Sequence, residues 1–153
     1  MKAKLILMAG LLVIPMFPAL AQTRPSASEI PSTALIQPSD VVALMQSKAE
    51  KPVMLQVGSH VLFQQAHIPG SEYVGASSTP EGRQQLRNSV ASLPKNRLII
   101  LYCGCCPWEH CPNVQPAYQE LHTMGFTKLK VMFIQNNFGK DWVEKGFPVA
   151  KGD

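Results

Sequence analysis

A short run of purely apolar residues, at positions 98–101, most constrains how this chain can fold. The run Leu98-Ile99-Ile100-Leu101 lacks the alternation of polar and apolar residues that a strand with one face in water would show. A strand that is apolar on both faces is typical of the centre of a parallel sheet covered by helices on both sides. The sequence therefore predicts a central strand over 97–102.

Strand and helix signals alternate on both sides of this run. Further strands are predicted over 53–57, 72–75 and 129–134, and helices over 60–65, 112–124 and 141–145. Two more helices have start signals, with Ser39 as a cap beside Pro38 and Thr79 as a cap before Pro80. Because strands that alternate with helices pair in parallel, this order predicts an α/β domain with a central, mostly parallel sheet flanked by helices.

The first 21 residues have the pattern of a secretory signal peptide. Two lysines precede an apolar run over 5–20, and Ala19-Leu20-Ala21 is the small-x-small sequence that signal peptidase recognises. We expect cleavage before Gln22, a periplasmic or secreted location, and no membrane association after cleavage. The alternative is an uncleaved membrane anchor, which the shortness of the run and the prolines within it disfavour.

The rest of the chain is expected to form one domain behind a leader. Residues 22–36 are rich in Ser, Pro, Ala and Thr and predict a flexible leader, which leaves one domain over 37–150. Loss of the signal peptide leaves 12 basic residues against 10 acidic ones, a net charge of +2. No basic run or aromatic ladder suggests nucleic-acid binding, so we expect no nucleic-acid partner. We expect a monomer.

All four cysteines lie in the nine residues that follow the predicted central strand. They are Cys103, Cys105, Cys106 and Cys111. In open α/β sheets, ligands collect beyond the carboxyl ends of the strands, where loops lead into helix N-termini. A thiol there is expected to have a lowered pKa, because the positive end of the next helix favours the thiolate. Cysteines this close together cannot join distant parts of a fold, so the loop is the predicted site of redox, sulfur or metal chemistry.

Three segments are similar to the rhodanese-like family of sulfurtransferases. They are Ala66-His67-Ile68-Pro69-Gly70-Ser71, which resembles the family's GHIPGA segment, the strand and cysteine over 98–103, and the Gly, Trp, Gly, aromatic and Pro residues over 138–149. The resemblance covers about 35–149 and implies a rhodanese-like three-layer domain. It also implies sulfur transfer without a cofactor, in which Cys103 accepts sulfur from a small donor as a persulfide and passes it to a thiol acceptor.

The cysteine loop departs from the family pattern in length and in charge. It is longer than usual and contains no Arg, the residue with which the family binds an anionic donor such as thiosulfate. The Asp-x-Arg that the family carries at the end of its first strand is here Gln56-Val57-Gly58. We therefore expect an altered site, at which thiosulfate is not an efficient donor.

Three interpretations of the loop remain open. In the first, Cys103 carries sulfur and Cys105, Cys106 or Cys111 resolves the persulfide as a disulfide, with a protein redox partner as a candidate reductant. In the second, zinc or cuprous copper is bound by Cys103, Cys105, Cys106, His110 and Cys111. In the third, local disulfides stiffen the loop of a binding module that has no catalytic activity.

Four further residues of the loop are candidate site residues: Gly104, Trp108, His110 and Asn113. His110 either deprotonates a thiol or is a solvated residue or weak ligand. Trp108 either shields the sulfur and forms a pocket wall or packs the loop against the domain. Asn113 or Cys111 is a candidate cap for the helix that follows, which would aim the helix amides at the site.

Overall fold

The fold is built on a five-stranded parallel sheet. A computed structural model describes residues 30–152, so the predicted signal peptide and most of the predicted leader lie outside the described residues. The strands are β1 (Leu35–Ile36), β2 (Val53–Gln56), β3 (Glu72–Tyr73), β4 (Ile99–Tyr102) and β5 (Leu129–Met132). They are all parallel and lie in the order β1-β5-β4-β2-β3. The predicted central strand is confirmed, since β4 lies between β2 and β5.

Helices connect the strands. They are α1 (Pro38–Gln46), α2 (His60–Gln65), α3 (Pro80–Val90) and α4 (Val114–Thr123), and a π-helical turn spans Gly139–Val143. Short 3₁₀ turns occupy Ser32–Ala34 and Trp108–His110. Among residues 30–152, no helix combines the length and the apolar character that a membrane span requires.

The side chains of β4 divide the core into two halves. Ile99 and Leu101 pack with α3 and α4 on one side of the sheet. Ile100 and Tyr102 pack on the other side, with α1 and with Trp142 of the π-helical turn. All four β4 residues are buried, and each fully buried side chain of this size contributes about 1.5–3 kcal/mol. The predicted three-layer architecture is therefore confirmed, with β4 fixed from both sides.

The N-terminal edge of the sheet differs from the sequence expectation. Leu35 and Ile36, which the sequence assigns to the flexible leader, form β1 and pair with Val131 and Met132 of β5. Ile30 also packs into the core. A strand of two residues is too short to show a hydrophobic period. Composition alone therefore places the boundary between leader and domain too far along the chain.

The two predicted helix caps have different outcomes. Ser39 does not cap α1, because the helix begins at Pro38 and its cap position is Gln37, without a side-chain hydrogen bond. Proline fits the first helical position since its missing N–H would have no partner there. Thr79 does cap α3, and its Oγ1 accepts a hydrogen bond from the Gly82 amide at 3.0 Å.

Candidate functional site

Cys103 is the residue that follows β4, and its side chain is almost completely buried (3% exposed). The neighbouring strand β2 pairs with β4 so that Gln56 lies opposite Tyr102, which brings the turn after β2 beside Cys103. A Cβ atom on Gly58 would lie 2.5 Å from the Cys103 Sγ. The absence of a side chain at position 58 therefore provides the space that the sulfur occupies.

Gln56 fixes the backbone on both sides of this contact. Its buried Nε2 donates a hydrogen bond to the Cys103 carbonyl at 3.0 Å, and its Oε1 accepts one from the Gly58 amide at 3.1 Å. The family pattern that the sequence resembles has an Asp and an Arg at positions 56 and 58. An uncharged amide and a glycine thus replace a charged pair in direct contact with the candidate nucleophile.

The four thiols of the loop form one continuous cluster. The Cys103 and Cys105 Sγ atoms are 3.3 Å apart, and the Cys105 and Cys106 Sγ atoms are 3.1 Å apart. The Sγ atoms of Cys103, Cys105 and Cys111 all lie within 4.8 Å of one another. Thiols this close together can exchange sulfur or disulfide bonds, or share a thiophilic metal ion.

The negative charge of the cluster does not lie where the sequence predicts. A hydrogen bond with Cys111, together with burial, raises the pKa of the Cys103 thiol far above its ordinary value. The same hydrogen bond, supported by the amides of Asn113 and Val114, lowers the pKa of Cys111 to about 6. The pKa of Cys103 is therefore shifted in the direction opposite to the expectation. The two thiols titrate as a pair, and the thiolate is favoured on Cys111, which the amides of Asn113 and Val114 face.

Asn113 contacts the candidate nucleophile instead of capping α4. It stands at the cap position of that helix, but its side chain makes no capping hydrogen bond. Its buried Oδ1 accepts a hydrogen bond from the Ser78 amide at 2.9 Å, and its Nδ2 points to the Cys103 Sγ at 3.5 Å. Asn113 therefore donates a hydrogen bond to the sulfur and is held in place by a distant turn.

The other predicted loop residues lie at different distances from the thiols. Gly104 has a φ of +85°, and a Cβ there would lie 2.7 Å from the Cβ of Phe138, so glycine is required at this position. Trp108 is half-buried, and its ring packs against Phe133 with the ring centroids 6.3 Å apart. His110 is exposed and is not part of the thiol cluster. The predicted set of five metal ligands therefore contracts to three cysteines.

A cavity of about 320 Å³ opens beside the Cys103 sulfur. It is lined by Gln56, Leu62, Gln65, Ala66, Tyr102, Cys103, Gly104, Cys105, Asn137, Phe138, Gly139 and Val143. None of these residues carries an acidic or basic side chain. Trp108 does not line this cavity and borders a separate groove with Ile30. The route to Cys103 is therefore lined by uncharged side chains, polar and apolar in similar measure.

Comparison with solved structures identifies the architecture. No family model and no curated protein matches the sequence. The rhodanese-like domain of the Alr3790 protein from Anabaena sp. superposes with a TM-score of 0.56 at 17% identity, over 77% of this chain and 79% of that one. The fold is rhodanese-like.

Two other structures share this rhodanese-like fold. BH2092 from Bacillus halodurans has a TM-score of 0.59 at 17% identity, over 76% of this chain and 75% of that one. The polysulfide-sulfur transferase homodimer of Wolinella succinogenes has a TM-score of 0.56 at 14% identity, over 77% and 78%. Identities this low establish the fold, and the chemistry must be inferred from the site.

Sequence reasoning missed several contributors to the site of this rhodanese-like fold. The roles of Gln56 and Gly58 were not predicted, although their departure from the family pattern was visible. Cys103 and Cys106 have Cys-x-x-Cys spacing, a redox signature that the sequence contains and that the interpretations above do not use. Phe138, which packs on Gly104, lies in a segment that was used only for the family resemblance.

Proposed function

We propose that this chain is an exported sulfurtransferase in which Cys103 carries sulfane sulfur as a persulfide. The observation that carries the proposal is the position of Cys103, which follows the central strand, lines a cavity and has a second thiol 3.3 Å away. A fold shared with a polysulfide-sulfur transferase supports sulfur as the transferred atom. The signal-peptide pattern at 1–21 supports a periplasmic or secreted location.

Sulfur uptake is a displacement at the outer sulfur of a donor R–S–SH. The Cys103 sulfur forms a bond to that outer sulfur, the donor's S–S bond breaks, and R–S⁻ leaves with the electron pair. The proton of the Cys103 thiol passes to the Cys111 thiolate, with which it is hydrogen-bonded. Delivery follows the same path in reverse. An acceptor thiolate attacks the outer sulfur of the persulfide, Cys103 leaves as the thiolate and recovers the proton, and no net oxidation occurs.

A neighbouring cysteine offers a second way to discharge the persulfide. A thiolate that attacks the inner sulfur of the Cys103 persulfide forms a disulfide and releases HS⁻, and a dithiol protein partner then supplies two electrons to reduce the disulfide. Cys111 is the favoured resolving residue, because it becomes a thiolate again once it has passed the proton to the departing R–S⁻, and its Sγ lies within 4.8 Å of Cys103. Cys106 is less suitable, since burial and contact with Cys105 raise its pKa to about 12.

Mass spectrometry of the reduced protein after exposure to an organic persulfide tests the proposal. We expect the mass of one sulfur atom to appear on Cys103 and to be absent from the Cys103→Ser variant. His110→Ala is the matched control, because His110 lies in the same loop but outside the thiol cluster. An equal gain of sulfur by the Cys103→Ser variant would contradict the assignment.

Binding of a thiophilic metal is the second candidate function, because three thiols lie within 4.8 Å of one another. Cys103, Cys105 and Cys111 would hold the ion, and three thiolates suit cuprous copper. Titration of the reduced protein with cuprous copper or zinc against a chelator tests this function. It requires one tightly bound ion that is lost in Cys105→Ser, and a protein that binds no metal while it accepts sulfur excludes it.

A further inference from the structure

Several polar groups on the cavity wall are engaged with the protein itself. Both ends of the Gln56 amide bond to backbone groups. The Tyr102 hydroxyl lies 2.7 Å from the Ser71 hydroxyl and accepts a hydrogen bond from the Ile68 amide at 3.2 Å. The Asn137 Oδ1 accepts a hydrogen bond from the Lys140 amide at 3.0 Å. These hydrogen bonds hold the wall in shape, and the wall offers only uncharged donors to an anion that enters the cavity.

An inorganic dianion would therefore lose its hydration in this cavity without gaining a counter-charge. Burial of a charge is unfavourable unless it is paired and hydrogen-bonded. No Lys or Arg lines the cavity, and the positions at which the family pattern has Asp and Arg are Gln56 and Gly58. The cavity thus disfavours thiosulfate and other small anions on their way to Cys103.

Two exposed apolar side chains lie at the mouth of the cavity. Among residues 30–152, the exposed large hydrophobic side chains are Val61 (61% exposed), Leu62 (37%) and Val143 (40%). Leu62 and Val143 both line the cavity, from α2 and from the π-helical turn, and Val61 adjoins Leu62. Exposed apolar side chains that gather at one opening mark a binding site for an apolar group.

We propose that the sulfur-carrying substrate is an organic persulfide whose organic group is apolar and uncharged, with Leu62 and Val143 contacting that group while its sulfur reaches Cys103. The proposal depends on the proposed function only for the role of Cys103. The volume of about 320 Å³ admits a small organic group beside the sulfur, and the neutral wall selects against inorganic donors.

Alkylation selectivity tests the cavity without requiring sulfur transfer. Iodoacetamide and iodoacetate are two reagents of similar size and different charge. Peptide mass spectrometry gives the rate at which each modifies Cys103. The ratio of the iodoacetamide rate to the iodoacetate rate is then compared with the same ratio for free cysteine. We expect wild-type Cys103 to favour the neutral reagent by about tenfold more than free cysteine does. The Val143→Lys variant should recover most of the iodoacetate rate, whereas Val143→Gln, the uncharged control, should not.

Sulfur loading from two donors then separates this proposal from the proposed function. Benzyl persulfide should load Cys103 at least tenfold faster than thiosulfate does, and Leu62→Ser should lower only the benzyl persulfide rate. Equal loading by the two donors would overturn the substrate class while sulfur transfer stands. Loading by neither donor, with the alkylation selectivity intact, would overturn sulfur transfer while the neutral cavity stands. An alkylation ratio equal to that of free cysteine would overturn the cavity argument itself.

Discussion

A methyl group at position 58 should displace the candidate nucleophile. The Cβ of Gly58→Ala would lie 2.5 Å from the Cys103 Sγ and 3.2 Å from the Gln56 Nε2. Ordinary contacts between such atoms are about 3.5–4.0 Å, so the sulfur must move by about 1 Å or more. Gly58 is not among the glycines with a positive φ, so the alanine backbone itself is not strained.

The expected consequences are a large loss of reactivity and a moderate loss of stability. Displacement of a reacting atom by about 1 Å can cost about 100-fold in rate. Overpacking of a close-packed site costs about 1–3 kcal/mol. We therefore expect Gly58→Ala to lower the rate of Cys103 persulfide formation by one to two orders of magnitude, measured by mass spectrometry, while urea unfolding shows a folded protein of reduced stability.

Gly125→Ala is the matched control for this substitution. Gly125 has a φ of +87°, so an alanine is strained there, but its Cβ would enter open space and not touch the sulfur. Gly125→Ala should lose stability and keep the rate at Cys103. If Gly58→Ala remains folded and reacts within about twofold of the wild-type rate, the sulfur does not depend on the space at position 58, and the reasoning from the close contact is refuted.

Three further predictions concern the thiols, the buried phenol and a helix cap. Cys111→Ser should prolong the lifetime of the Cys103 persulfide several-fold, because the resolving thiolate is lost; time-resolved mass spectrometry should show no such change in Cys106→Ser. Burial raises the pKa of Tyr102 to about 12, so the folded state favours the neutral phenol. The neutral phenol therefore contributes about 2–3 kcal/mol to the free energy of unfolding below pH 10, and this contribution is lost as the pH rises from 10 through about 12. In urea unfolding, Tyr102→Phe should not show this loss of stability with rising pH. An equal loss in the variant and the wild type would contradict the assignment to Tyr102. Thr79→Ala should lower the free energy of unfolding by about 1 kcal/mol through loss of the Gly82 hydrogen bond, and Thr79→Ser should retain most of it.

The features that the sequence predicts well are those that depend on local pattern. The apolar run over 98–101 predicts a strand covered on both faces, and β4 is the central strand with alternate residues in the two halves of the core. Thr79 before Pro80 predicts a capped helix start, which the structure contains. The position of Cys103 follows in turn, because the carboxyl end of a central parallel strand is where such a fold places its site.

The features that the sequence does not predict depend on residues that are distant in the chain. The thiolate is favoured on Cys111 because of its hydrogen bond with Cys103, at the other end of the loop, and because of the amides of Asn113 and Val114. The contact between Gly58 and Cys103 arises from the pairing of β2 with β4, which no local pattern describes.

The Gln56 amide has a consequence for the conditions in which the site keeps its shape. A carboxylate and a guanidinium hold a structure with a strength that changes with ionic strength and with acidification. The Gln56 side chain joins the backbone at Cys103 to the backbone at Gly58 with neutral hydrogen bonds. Salt does not screen these bonds and acid does not titrate them. The backbone on both sides of the sulfur is thereby held by contacts that do not depend on the salt or acid content of the medium.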